Sequence, residues 1–256
     1  MIISFPMKKL LNSVTLLGVD CVEIERLRLA ADICQEHFEF ADVKLLTSLP
    51  ISGDKRIVHI EHLPTVAAYS KFMIADLDKF IETPHVLIIQ HDGFILNPEA
   101  WNDEFLQFDY VGAPWLVRNV SVNRFGFPKE LLGQYVVGNG GFSLRSKKLT
   151  SLCAKLAHDN VLSKFHPEDV AICVKNRSIF EDYGLLFAPV PLAKQFSFES
   201  MDNENDSWDG QFGFHGLNWT DISKWLNIHP EYKDRIINDV TGHKQRLLNE
   251  SANRKI

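Results

Sequence analysis

Val86-Leu-Ile-Ile-Gln-His-Asp-Gly93 decides how this 256-residue chain is read. The apolar run from Val86 to Ile89 offers water no polar face, so both its faces must be buried. That is the pattern of a central strand in a largely parallel sheet. The run ends on Gln90-His91-Asp92 and so places a carboxylate just past a buried strand, where open α/β sheets bind ligands. Asp92-Gly93 is also a tight-turn signal, suited to a hairpin with positive φ that returns through residues 94–96. The two readings are compatible, because a turn presents one acid well.

The flanking pattern extends that strand into a fold. Residues 14–19 read as a first core strand, with Asp20 placed to cap the next helix. That helix carries Leu27, Ala30 or Ala31, Cys34 and Phe38 on one face. Residues 43–46 and 57–60 read as short strands. Val66, Tyr69, Met73, Leu77 and Phe80 then form a helical stripe leading into residues 86–89. Alternating strand and helix predict an α/β fold with a Rossmann-like, nucleotide-binding type of half. Beyond it, aromatics and glycines crowd residues 105–115, 124–142 and 196–219, which read as binding loops rather than core elements. After Pro230 a charged helical stretch carries Ile237, Val240, Lys244 and Leu247, weakened by Gly242. It packs on the domain or serves as a partner or membrane-surface helix. The expected organisation is one domain over residues 1–228 and a helical appendage over 229–256.

Composition narrows the function classes. Hydrophobic residues make up 45%, enough for a globular core. A net charge of −6 removes the positive field on which nucleic-acid affinity depends, so nucleic acid is excluded as an expected partner. An anion bound here needs glycine amides, helix N-termini or a metal. Cys21, Cys34, Cys153 and Cys173 lack the close pairs of a zinc or redox site and read as reduced, mostly buried thiols of a cytosolic protein. From Met7 the chain faintly mimics an export signal. Asn12, Ser13 and Thr15 interrupt its apolar stretch, and Asp20 sits where small residues should prepare cleavage, which favours the core strand. No run approaches the ~18 apolar residues of a membrane span.

Three further segments carry chemistry. Gly138-Asn139-Gly140-Gly141 puts three glycines in four positions, so the backbone bends unusually or something approaches it closely; it lacks the spacing and lysine of a P-loop. Pro167-Glu168-Asp169 reads as a helix start with acids complementing the dipole, or as a carboxylate placed to deprotonate a hydroxyl. His215, in Phe214-His-Gly216, is a surface loop histidine or a ligand for an Mn²⁺-like metal beside a carboxylate. Trp115, Trp208 and Trp219 stack on sugar rings or fill the core. An acid after a strand, a glycine loop, an acid pair and a late histidine together suit metal-assisted transfer from a nucleotide diphosphate.

In this order the segments resemble the core of the GT-A class of nucleotide-sugar glycosyltransferases. Residues 86–93, Trp101-Asn-Asp-Glu-Phe105, Asp109-Tyr-Val-Gly-Ala-Pro-Trp115 and residues 138–145 more closely resemble a little-characterised, mostly bacterial family of that fold. The likeness covers roughly residues 12–220. It implies a GT-A-like single domain with a loop-rich acceptor half. Gln90-His91-Asp92 takes the Asp-x-Asp position, with glutamine in place of the first acid. The resemblance further implies that residues 138–141 are the glycine loop, that Asp169, beside Glu168, is the catalytic base of an inverting enzyme, and that Asp92 and His215 are metal ligands.

The leading expectation is therefore a transferase using Mn²⁺ or Mg²⁺ and a nucleotide diphosphate-sugar, most simply UDP-linked. Gln90, His91, Asp92 and the glycine loop would sit at the donor. The expected acceptor is a glycan or glycolipid of surface-polysaccharide synthesis, and the expected location cytoplasmic, with peripheral contact at the inner membrane face. The rival is a non-catalytic sugar- or nucleotide-binding module, which Gln90 favours. A nucleotidyltransferase ranks last, because no basic glycine-rich N-terminal loop is present.

Overall fold

The computed structural model describes residues 8–199, 208–218 and 220–236. In chain order β1 (Lys9–Val19), α1 (Ile24–His37), β2 (Phe38–Thr47), β3 (Ile57–His59), α2 (Val66–Ala75) and β4 (His85–Ile89) form the first half. The second half holds β5 (Tyr110–Val111), β6 (Pro114–Leu116), α3 (Asn119–Phe125), β7 (Tyr135–Val137), β8 (Phe142–Ser146) and α4 (Lys147–His158). It closes with α5 (Glu168–Val170), α6 (Arg177–Asp182), α7 (Val190–Phe196), β9 (Ser197–Phe198), β10 (Gly213–Phe214) and α8 (Ser223–Ile228). The main sheet has the order β3-β2-β1-β4-β8-β5. Its first four strands are parallel, and β8 enters antiparallel to β4. This is a mixed α/β fold of the GT-A type, a Rossmann-like half joined to a half of short strands and loops.

β4 is central, as its apolar run requires. Leu87 and Ile89 join one hydrophobic cluster with Leu16, Leu27 and Phe142. Val86 and Ile88 join another, on the opposite face, with Leu17, Leu46 and Met73. Each side chain so buried contributes roughly 1.5–3 kcal/mol.

Several local expectations are corrected. β1 starts at Lys9 rather than residue 14, because its pairing with β2 shifts register between Leu11 and Thr15 and hides the alternation. Asp20 Oδ1 accepts from the amides of Val22 (2.7 Å) and Glu23 (2.8 Å), so it closes the turn before α1 rather than capping the helix. Phe38 is buried but opens β2. The stripe over residues 66–80 breaks at Asp76 into a separate 3₁₀ turn, Leu77–Phe80. There Asp78 is drawn toward α4 by Lys147, Thr150 and Ser151.

Asp92-Gly93 turns the chain, with Gly93 N donating to Gln90 O at 3.1 Å, but no hairpin follows. β4 lies between β1 and β8, while Ile95 bridges to Gly213. Gly93 is not at positive φ; a Cβ there would lie 3.0 Å from the carbonyl oxygens of Gly141 and Phe214.

Many rings of the aromatic-rich segments belong to the core, whereas residues 128–135 are mainly exposed. Phe105, Tyr110, Phe142, Phe196, Phe212 and Phe214 are fully buried, and Phe105 and Phe196 meet edge to face at 5.1 Å. Trp115 packs on Phe127, and Trp208 is partly buried against the main core. Short strands leave that core open, and these rings close it. Tyr232 and Ile236 are also buried in the main cluster. Trp219, Ile237, Val240, Gly242, Lys244 and Leu247 lie outside the described residues. All four cysteines are free and buried. Among the described residues no helix is long and apolar enough to cross a membrane.

Candidate functional site

Register gathers the site. β1 and β4 run parallel, pairing Gly18 with Ile89, so residues 19–23 and 90–92 emerge together at the carboxyl edge. β8 is antiparallel and pairs Phe142 with Ile89, so the glycines preceding it return to that same edge. β9 and β10 pair Phe198 with Phe214, which sets their next residues, Glu199 and His215, side by side. Gly216 N donates to Asp92 O at 2.8 Å and ties the histidine loop to the Asp92 turn.

An open cleft of about 970 Å³ results, within the usual range for a small-molecule site. Gln90, His91, Gly140, Gly141, Glu168, Asp169 and His215 line it. Asp92, Gly138 and Asn139 are not on its wall. Asn139 is buried at φ 70°, and its Oδ1 accepts from the amides of Gly141 (2.9 Å) and Phe142 (3.3 Å), which folds the glycine loop. Gly138 lies beneath the Trp115 ring, Gly140 against Glu168 and Gly141 against the His215 ring; a Cβ at any of the three would collide with that neighbour. What approaches the bare backbone so closely is the protein's own side chains.

Asp92 and His215 form a near-buried pair. His215 Nε2 is 3.4 Å from Asp92 Oδ1 and 3.1 Å from Gln90 Oε1, while Nδ1 is 2.8 Å from Glu199 Oε1. Burial opposes the charge on His215, but Asp92 and Glu199 outweigh it and hold the imidazole well above its ordinary pKa. Burial likewise opposes ionisation of Asp92, and the charges of His215 and His91 overcome it, so that carboxyl stays well below the usual range. Asp92 Oδ1 is nonetheless buried without a well-formed hydrogen bond. His91 lies farther out, 4.0 Å from Asp20 and 3.9 Å from Asp92. Among the described residues no group of three or more His, Cys, Asp and Glu side chains is arranged to hold a metal. The donors that converge are one carboxylate, one imidazole and the amide oxygen of Gln90.

The acid pair divides. Glu168 is buried with Arg145, whose guanidinium lies 3.7 Å from Glu168 Oε1. Asp169 takes amide hydrogen bonds from Gly140 (3.0 Å) and Val170 (2.7 Å). Burial, and then the charges of Glu168 and Glu199, push its carboxyl up to about 7 against the pull of those amides.

Tyr69, Arg145 and Glu199 had not been singled out from the sequence. Tyr69 sat within a helical stripe, Arg145 at the end of the 138–145 likeness, and Glu199 within the aromatic-rich stretch over 196–219. Only the strand register brings Glu199 to the histidine.

A family model described as protein of unknown function (DUF5672) matches residues 55–215, from just before β3 to His215. The chain belongs to the DUF5672 family. The matched span holds every residue of the site just described except those at the β1–α1 turn and Gly216. No curated protein matches the chain. Among solved structures the family member is similar to an active-site mutant of LgtC, at 12% identity and TM-score 0.47 over 85% of this chain and 95% of that one. It is also similar to the galactosyltransferase LgtC in complex with donor and acceptor sugar analogs, at 13% identity and TM-score 0.46 over 80% and 87%.

Proposed function

We propose that this chain moves a sugar from a nucleotide diphosphate-sugar, most simply UDP-linked, to a hydroxyl of a glycan or glycolipid, with inversion at the anomeric carbon. The observation that carries the proposal is Asp169, a carboxyl raised to about 7 on the wall of the cleft that also holds Gln90, His91 and His215. A general base works best with a pKa near the working pH. Asp169 would take the acceptor proton as the hydroxyl oxygen bonds to the anomeric carbon. The bond from that carbon to the diphosphate oxygen breaks, and its electron pair leaves with the nucleoside diphosphate.

Gln90, Asp92 and His215 are the residues that would hold Mn²⁺ or Mg²⁺. Their oxygen and nitrogen donors suit such an ion, and Asp92 Oδ1, buried without a well-formed hydrogen bond, supports the fit. The ion would supply positive charge against the departing diphosphate. Val22, Leu63, Pro64 and Val66 give the cleft an apolar wall suited to a nucleobase. An acceptor in surface-polysaccharide synthesis, met in the cytoplasm or at the inner membrane face, belongs to the same proposal.

Screening nucleotide-sugars for nucleoside diphosphate release, with and without Mn²⁺, tests the reading. Product NMR then reports the anomeric configuration, and a retained configuration would refute direct inversion. Gln90 in an acid's position also favours a second reading, a non-catalytic binding module. That reading predicts nucleotide binding by calorimetry with no turnover on any donor.

A further inference from the structure

We infer that the exposed surface over residues 120–135, bordered by Lys175 and Lys194, docks on an anionic lipid bilayer. The docking stands on the surface itself. Its purpose, bringing a lipid-borne acceptor to Asp169, rests on the transferase reading.

The chain carries a net charge of −6, yet this region is locally basic. Between Asn119 and Tyr135 the charged residues are Arg124, Lys129 and Glu130, and all three are exposed. Two more exposed lysines border the segment. Lys194 Nζ stands 4.2 Å from the centre of the Tyr135 ring, and Lys175 Nζ lies 3.9 Å from where a Cβ on Gly126 would stand. Four cations thus face one acid, and among the described residues none of the four is ion-paired with a carboxylate. Apolar side chains are interleaved with them: Val120, Leu132 and Tyr135 are 36%, 43% and 45% exposed.

That mixture selects the occupant. Cations alone would suit any polyanion, but aliphatic side chains gain nothing from a charged glycan. A bilayer interface offers headgroup charge to the basic residues and acyl chain to the leucine and valine, and an amphipathic tyrosine ring belongs at the same depth. A second copy of the chain, meeting this surface with its own, would set cations against cations. Each basic side chain near an anionic leaflet is worth about fivefold in partitioning.

The surface is tied to the cleft through the core beneath it. Trp115, Val117, Phe127, Val136 and Val170 form a small cluster on which Val122, Phe125 and Leu131 pack. Val170 directly follows Asp169. The Trp115 ring lies against Gly138 of the glycine loop, and its Nε1 donates to Glu199 Oε2 at 2.5 Å. One packed cluster therefore carries the docking face on its outside and holds the neighbour of Asp169 on its inside.

The test is flotation of the whole chain with phosphatidylcholine vesicles, with and without phosphatidylglycerol, at low and high salt. Wild type is compared with R124Q/K129Q, with Leu132→Asn, and with K55Q/K155Q, which removes the same charge from exposed positions elsewhere. Circular dichroism melts confirm that each variant folds. The expected result is binding to the anionic vesicles, weakened by salt and absent on phosphatidylcholine alone. R124Q/K129Q should weaken it about 25-fold and Leu132→Asn about tenfold, with K55Q/K155Q nearly unchanged. Equal losses from the two double variants, equal binding to neutral vesicles, unaltered binding of Leu132→Asn, or no binding at all overturn the inference. Vesicle binding without turnover of any nucleotide-sugar keeps the docking surface and removes the transferase reading; turnover without vesicle binding does the reverse.

Discussion

Asp169 is the residue most exposed to test, because one carboxyl carries both a proposed chemical role and a stability cost. Burial beside Glu168 and Glu199 raises it to about 7, so the native fold favours its neutral form. In the unfolded chain the same group ionises near 3.9. The folded state therefore loses stability as pH rises from about 4 to about 7, and the cost is constant above that window. Asp169→Asn retains an acceptor for the Gly140 amide and removes the ionisation. The variant should gain thermal stability relative to wild type as melts move from pH 4 to pH 8, and no change in that difference would contradict the raised pKa. The same substitution should lower transfer ~10²–10⁴-fold, the usual worth of a general base, with donor affinity nearly unchanged. Wild-type activity should fall as pH drops below about 7, where the base is protonated.

Elements matter here because the glycine loop, β8 and the α5 start lock together through side chains. Gly141→Ala would drive a methyl into the His215 ring. We expect a loss of ~1–3 kcal/mol by denaturant unfolding, the usual scale of overpacking, with Mn²⁺ affinity lost in parallel. Wild-type affinity in that variant would mean the ring is not held where it stands. Arg145 in β8 and Glu168 in α5 are 1% and 8% exposed, and removing one partner strands a buried charge. Arg145→Met should cost ~3–5 kcal/mol, and adding Glu168→Gln should recover much of it. A double variant no better than the single would show that the pair is not coupled. Legibility also divides along these lines. Apolar periodicity marked β4 and the buried face of α1, since burial leaves a local pattern. The entry of β8 against β4 left none, because pairing across more than 50 residues is decided by what remains unpaired at the sheet edge.

For the chain as a unit, the Rossmann-like half was readable from alternating strand and helix, and three residues of the cleft wall, Gln90, Asp169 and His215, lie in segments that stood out in the sequence. The braces were not. Glu199 meets His215 only because two two-residue strands pair in parallel, and Tyr69 meets Gln90 only because α2 lies over the end of β4. Residues chosen by tertiary register have no spacing rule to betray them. The aromatic loops misled for the opposite reason: rings suited to sugars are equally suited to closing a core that short strands leave open. Cleavage of a sugar–diphosphate bond in this cleft is the step on which the proposed function turns. Its most direct test is nucleoside diphosphate release from a panel of nucleotide-sugars, each with an acceptor panel, comparing wild type with Asp169→Asn in the presence of Mn²⁺. Release by the wild type is expected with at least one donor, at a ~10²–10⁴-fold slower rate in the variant. Nucleotide binding without release from any donor, or equal rates in the two proteins, would contradict it.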